Sequence, residues 1–323
     1  MCRVVVLGGI LVLIIIEAAL MRFGVIGRFS PLRDATLGAI VDTAIARGHD
    51  VVMLDIAALV TGPFDFSPTT GQLTLGDAVL ELGDLDALWL GPLPSASARL
   101  IPEDGLLRGV DIDVLRRRQA ARHALGWSIA LVAEARGVSV LSSPSRARPF
   151  DFKPFQLSTL AAAGLTVPVT RVSDHANEGD IGDGIVKPVV GGPVLMAGGS
   201  IGVAGVPMIR QPRLGARQLR LAVVDGGVVA AGAIVADDVL DSRSSVRPWR
   251  AISVDVALQD LGERCARACA FDVCAIDVVD DDGDLVVLDV NRTPQLMDLA
   301  ALCGVDIAGS CVDLLERRGA RSP

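Results

Sequence analysis

The chain has 323 residues, is 51% hydrophobic, and carries a formal net charge of −8. That length allows two or three packed subdomains with a sizeable core, and the acidic balance excludes the basic stripe of a nucleic-acid binder. The one basic run, Arg116, Arg117, Arg118 and Arg122, reads as a solvated helix face.

Val4 to Ile16 is an unbroken run of apolar residues and glycines. As a helix this run would rise about 20 Å, short of the roughly 30 Å core of a bilayer. Arg3 is its only positive flank and no small-residue cleavage site follows, so a membrane anchor is the lesser reading. Residues 1–20 are read as an extension ahead of a fresh domain start at Met21.

From there strands and helices alternate. Arg22–Gly27, Val51–Leu54, Ala87–Leu90 and Val138–Leu141 read as apolar strands. Ala35–Arg47 has helical apolar spacing and stops at Gly48, and Leu115–Ala135 reads as a long helix. This order implies a mostly parallel sheet covered by helices, an α/β domain over residues 21–145. Ser142–Asp151 is rich in Ser, Pro and Arg and reads as a linker. A helix over Phe152–Ala163, a strand around Val167–Arg171 and a strand over Ile185–Val190 follow, the last running into a glycine-rich stretch. Arg220–Val224 and Val228–Ile234 form a hairpin around an Asp-Gly turn. Leu258–Ala270 is helical, and Val273–Val279 with Leu285–Val290 makes a second hairpin across Asp280–Asp284.

The second hairpin concentrates the chemistry. Asp289 and Asn291 are two apart on a strand and project to one face, and pairing across the turn brings Asp277 near them. Two carboxylates and an amide oxygen make a hard oxygen set suited to Mg²⁺. A polar hairpin tip accounts for Asp280–Asp284 but not for Asp277, which sits among Cys274, Ala275, Ile276, Val278 and Val279. Lys153 opens the helix after the linker, and Lys187 ends an apolar strand where burial is costly without a counter-charge. Polyphosphate would supply that charge, and Gly191, Gly192, Gly198, Gly199 and Gly202 would let backbone N–H groups close over it. His49, His123 and His175 are scattered and compose no nucleophilic triad. Cys265, Cys269, Cys274, Cys303 and Cys311 form no CxxC pair and, with Cys2, read as thiols of a reducing compartment, hence a cytoplasmic protein.

Four segments taken in order resemble the ATP-grasp superfamily, specifically the RimK-type α-L-glutamate ligases and glutathione-synthetase-like enzymes. They are FDFKPFQLSTLAAAGLTVPVT, IVKP, RQPRLGARQLRLAVVDGGVVAA and AIDVVDDDGDLVVLDVNRTP. The resemblance implies an ATP-grasp fold, α+β in its lobes, behind the N-terminal parallel-sheet α/β domain. The grasp domain would span residues 146–323, with a small lobe at about 168–212 and a large lobe at about 213–323. It implies that Lys153 and Lys187 contact ATP phosphates and that the segment Gln211, Pro212, Arg213 and Leu214 meets adenine. It implies that Asp277, Asp289 and Asn291 hold one or two Mg²⁺ ions, with Mn²⁺ as a substitute, and that Arg220 and Arg243 neutralise the transferring phosphoryl group. The activity implied is joining a carboxylate to an amine, on a small molecule or a peptide, at the expense of ATP. Enzymes of this kind are commonly homo-oligomers. Asp289 stands where the family usually has Glu, Pro212 where it has Glu, Gln218 where Asp is common, and Gln295 where Gly follows the proline. These departures leave open a second reading, a catalytically weakened nucleotide-binding or scaffold protein. Arg28 and Arg33, after the first strand of the α/β domain, are candidates for a substrate carboxylate.

Overall fold

The computed structural model describes residues 3–7, 10–14, 21–27, 34–55, 64–75, 78–93, 112–173, 184–189, 195–196, 207–215, 217–235 and 249–320. Strands β1 (Arg3–Leu7) and β2 (Ile10–Ile14) pair antiparallel. The described parts of the apolar N-terminal run are therefore extended backbone, not the helix weighed above, and no described helix is long and apolar enough to cross a membrane.

β3 (Arg22–Gly27), α1 (Ala35–Ala46) and β4 (Asp50–Asp55) follow. Asp34 caps α1 by accepting from the Leu37 N–H, which satisfies one of the donors that a helix start leaves orphaned. β5 (Phe64–Ser67), β6 (Gln72–Leu75) and β7 (Ala78–Glu81) form a three-stranded antiparallel meander that sequence reading missed. β8 (Ala87–Leu90), α2 (Ile112–Ala135) and β9 (Ser139–Val140) complete a parallel sheet in the order β4-β3-β8-β9. The expected linker is helical instead: α3 (Pro144–Ala147) and a 3₁₀ turn (Arg148–Asp151) lead straight into α4 (Lys153–Ala162). Prolines at the first turns of these segments explain the change, since proline's fixed φ suits a helix start.

A four-stranded sheet is ordered β10-β13-β11-β12, from β10 (Arg171–Ser173), β11 (Ile185–Pro188), β12 (Leu195–Met196) and β13 (Met208–Gln211). β10 begins where the expected strand Val167–Arg171 was to end. A five-stranded antiparallel sheet is ordered β16-β15-β14-β17-β18, from β14 (Arg217–Val224), β15 (Gly227–Val235), β16 (Arg250–Ala251), β17 (Val273–Asp281) and β18 (Asp284–Asn291). Both of its hairpins turn on Asp-Gly: φ is 51° and 81° at Asp225–Gly226, and 54° and 97° at Asp282–Gly283. Two successive positive φ values match the right-handed twist of the flanking strands. The second turn is tighter than Asp280–Asp284, because Asp280, Asp281 and Asp284 belong to the strands.

Alternation along these strands divides the core. Leu219, Leu221, Ile276, Val278 and Val290 face one side, against Leu258, Leu261 and Cys265 of α5 (Val256–Ala268). Ala222, Val224, Val273 and Ala275 face the other, where Phe23, Leu37 and Trp89 of the N-terminal sheet layer are gathered. Between them lie two helices absent from the sequence reading, α6 (Met297–Cys303) and α7 (Ile307–Gly319), which bring Leu299, Val312 and Leu315. The third cluster lies on the opposite face of the parallel sheet, where Ile26, Leu54 and Leu88 meet Trp127 and Ile129 of α2.

Leu221 is fully buried at the centre of the five-stranded sheet. Leu221→Ala should cost about 2–5 kcal/mol through lost transfer energy and a residual cavity, whereas Asp255→Ala, removing the cap of α5, should cost about 1 kcal/mol. Urea unfolding of both variants checks this ranking.

Candidate active site

Register places three charged residues in a row across three strands. Arg220 on β14 is directly opposite Asp277 on β17, and Asp277 is directly opposite Asp289 on β18. A bulge follows, since the pairing shifts between Asp277 and Val278, and Asn291 pairs with Ala275 two residues along the same face. The row lies on the face that carries Ala222 and Ala275, where the apolar rows toward the N-terminal sheet give way to charge.

Each carboxylate in the row meets a cation. Arg220 grips Asp277 with two hydrogen bonds, Nε to Oδ1 at 2.7 Å and Nη2 to Oδ2 at 3.0 Å. The guanidinium is held above its ordinary pKa, first by the Asp277 hydrogen bond and then by the charges of Asp277 and Asp289, with burial opposing. Lys153, at the first turn of α4, donates to Asp289 Oδ2 at 2.6 Å. All four side chains are roughly a quarter to a third exposed, so the cluster opens to solvent while its low-dielectric floor strengthens the attractions. Asn291 Oδ1 accepts the Thr293 N–H at 3.0 Å, which fixes the amide and leaves a lone pair for a further partner.

Asp277, Asp289 and Asn291 thus converge as expected, joined by Lys153 and Arg220. Among the described residues no three His, Cys, Asp or Glu gather into a metal cluster. The donor set of two carboxylates and an amide oxygen nevertheless fits Mg²⁺, which keeps several ligand positions for water or phosphate oxygens. Lys187 and Gln211 lie apart from the row, on the four-stranded sheet, where Lys187 pairs with Ile209 and Gln211 with Ile185. Gln211 is buried; its Nε2 donates to Thr170 at 2.9 Å and its Oε1 has no hydrogen-bond partner among the described residues. Pro212 and Arg213 are exposed and Leu214 is half-buried. Arg28, Arg33, Arg243 and the glycines 191, 192, 198, 199 and 202 lie outside the described residues. Lys153 and Lys187 are the only two lysines in a chain with 30 basic residues. Arginine serves everywhere else.

Two residues beside the row escaped the sequence reading. Gln156, one turn along α4 from Lys153, is 2% exposed. Its amide donates to the Val290 carbonyl at 2.7 Å and to the Phe150 carbonyl at 2.9 Å, and its carbonyl accepts the Val290 N–H at 3.0 Å. Arg292 is 8% exposed, donates to the Leu90 carbonyl at 3.1 Å, and stacks over Trp127 at 4.8 Å. Its Nε lies 3.5 Å from Asp151, an ion pair that opposes the lowering of its pKa by burial. With Gln295 donating to Asp34, and the Leu296 N–H bonding Thr36 at 2.8 Å, Arg292 ties the end of β18 to the N-terminal sheet layer. The spacing of Gln156 from Lys153 was legible, but its partner, a strand edge 134 residues away, was not.

Residues 209–315 match the model of the RimK-like ATP-grasp domain. A probable α-L-glutamate ligase of Xanthomonas campestris pv. campestris (strain B100) is 39% identical over 59 residues, 18% of this chain. The chain spans only 20% of that relative's length. Another, from Mannheimia succiniciproducens, is 24% identical over 229 residues, covering 60% of this chain and 73% of the relative. Among solved structures, the ATP-grasp ligase PsnB, complexed with a phosphomimetic variant of a minimal precursor, Mg and ADP, superposes with a TM-score of 0.74. It has 24% identity, over 92% of this chain and 98% of that one. The macrocyclase MdnC of Microcystis aeruginosa MRC, bound with precursor peptide MdnA, gives 0.71 at 16% identity, over 92% of this chain and 100% of that one. The chain has the ATP-grasp fold, with a RimK-like ATP-grasp domain in its C-terminal part.

The cysteines take no part in this geometry. Cys265, Cys269, Cys274 and Cys311 are buried, and desolvation pushes the thiols of Cys265, Cys269 and Cys311 up to about 12. Because the folded pKa values exceed those of free thiols, stability should be unaffected below pH 9 and fall as pH rises from about 9 to 12. Denaturant midpoints across that range, together with iodoacetamide mapping at pH 8 that leaves these three thiols unmodified, check the assignment.

Proposed function

We propose that this chain is an ATP- and Mg²⁺-dependent carboxylate–amine ligase that makes an amide bond through an acyl phosphate. The observation that carries this reading is the cross-strand row Arg220–Asp277–Asp289 closed by Lys153. Its charges cancel in pairs. A nucleotide polyphosphate and its divalent cation offer the complementary set: anion for Lys153 and Arg220, cation for Asp277 and Asp289.

In this reading Lys153 and Lys187 bind phosphate oxygens, and the segment Gln211–Leu214 meets the adenine. The Oε1 of Gln211, which has no hydrogen-bond partner among the described residues, supports that placement. Asp277, Asp289 and Asn291 hold one or two Mg²⁺ ions, with Mn²⁺ able to substitute; when bound, the metal neutralises phosphate charge. A substrate carboxylate oxygen attacks the γ-phosphorus, the bond to the β-phosphate oxygen breaks, and ADP leaves. Arg220, and Arg243 beyond the described residues, stabilise the charge spread over the transferring group. The amine then adds to the acyl carbon, loses a proton, and expels phosphate. No enzyme nucleophile is required, because positioning and electrostatics supply the acceleration. The acceptor is a carboxylate of a small molecule or a peptide, and the precursor peptides bound by the two structural relatives support including peptides. A cytoplasmic setting is supported by the buried free thiols.

The test is ADP release over a panel of carboxylates, peptides and amines, with metal and nucleotide affinities measured by calorimetry. Mg²⁺ and ADP should each bind more tightly when the other is present. Arg220→Ala and Lys153→Met should lower kcat by a factor on the order of 10²–10³. Nucleotide binding with no turnover of any substrate, unchanged by Asp277→Asn, would sink the ligase reading and leave a nucleotide-binding protein.

A further inference from the structure

β18 is the outer strand of its sheet. An edge strand presents backbone N–H and C=O groups that the sheet leaves unpaired, and a buried edge must find partners elsewhere. At Val290, the residue between Asp289 and Asn291, both groups are buried and both are taken by the side chain of one residue, Gln156. A primary amide reproduces the donor and acceptor of a peptide group, so Gln156 acts as one unit of a missing neighbour strand.

This arrangement has a consequence at the row. Gln156 and Lys153 are three residues apart on α4 and therefore neighbours on one helix face. Val290 and Asp289 are adjacent on β18. The reciprocal pair thus fixes the helix face that carries the lysine against the strand that carries the carboxylate. The third hydrogen bond, to the Phe150 carbonyl, ties in the turn just before α4. We infer that Gln156 is a positioning residue, whose two hydrogen bonds to Val290 set the separation of Lys153 from Asp289 and hence the geometry in which phosphate and metal are received. The role rests on the nucleotide reading above only for its effect on turnover; its effect on the lysine does not.

Leucine and glutamic acid at position 156 separate positioning from packing. Leucine keeps the bulk and removes both polar functions. Glutamic acid restores them only when protonated, as one O–H donor and one C=O acceptor.

The experiment uses the full chain. Because Lys153 and Lys187 are the only lysines, acetylation of the two ε-amines can be followed by mass spectrometry, with Lys187 as internal reference. In Gln156→Leu, Lys153 should acetylate several-fold faster relative to Lys187, since it no longer sits on Asp289. Mg·ADP should bind more weakly by calorimetry, and kcat/KM should fall by a factor on the order of ten to a hundred, as for a misplaced catalytic group. In Gln156→Glu at pH 8 these losses should persist, because an ionised carboxylate keeps an acceptor for the Val290 N–H and loses the donor to the Val290 carbonyl. Thermal melts identify any variant that has simply failed to fold.

Wild-type lysine reactivity and Mg·ADP affinity in a folded Gln156→Leu variant would overturn the inference. A wild-type chain that binds no Mg·ADP would instead overturn the nucleotide reading, while a faster Lys153 reaction in Gln156→Leu would still support the pinning of α4 to β18.

Discussion

Two aspartates that face each other across paired strands repel, and a fold that builds them must compensate the charge. Here Arg220 and Lys153 do so, one from the next strand of the same sheet and one from a helix lying along its edge. The arrangement is costly to disturb piecemeal. Removing either cation strands a partly buried carboxylate, and removing either carboxylate leaves a cation without its partner. On the ligase reading proposed above it would be exchanged as a whole, because a magnesium–polyphosphate complex carries both signs of charge.

Much of the surrounding architecture serves to hold the row in place. The Asp282–Gly283 turn fixes β17 against β18, the Asp225–Gly226 turn fixes β14 against β15, and apolar residues on the opposite face hold β14 beside β17. α4 is anchored by Gln156, and the segment after Asn291 is anchored to the N-terminal sheet layer by Arg292, Gln295 and Leu296. α6 and α7 fill the space between that layer and the five-stranded sheet. Residues with no contact to a ligand therefore bear on how the charged side chains are presented.

The hairpin that carries the acidic residues was legible because its signals are local: alternation, an Asp-Gly turn, and one aspartate embedded in an apolar run. The parallel sheet was legible from strands alternating with helices. What escaped depends on distant partners. The bulge after Asp277 decides that Asp277 meets Asp289 directly, yet nothing in the residue pattern reports it. Gln156 and Arg292 look like ordinary polar residues until the strand edge and the tryptophan they meet are known. The Ser-, Pro- and Arg-rich segment had the composition of a linker, but proline at helix starts gave two short helical turns. α6 and α7 carry their apolar stripes toward a surface made of two sheets, and only the packing gives those stripes a meaning.

The central claim is that one set of four side chains exchanges its internal ion pairs for a metal and a polyphosphate. A crystal grown with Mn²⁺ and a non-hydrolysable ATP analogue tests it most directly. The account predicts an anomalous peak within coordination distance of both Asp277 and Asp289, with Lys153 moved from Asp289 onto a phosphate oxygen. A nucleotide bound with Lys153 still on Asp289, Arg220 still gripping Asp277, and the metal elsewhere would contradict it.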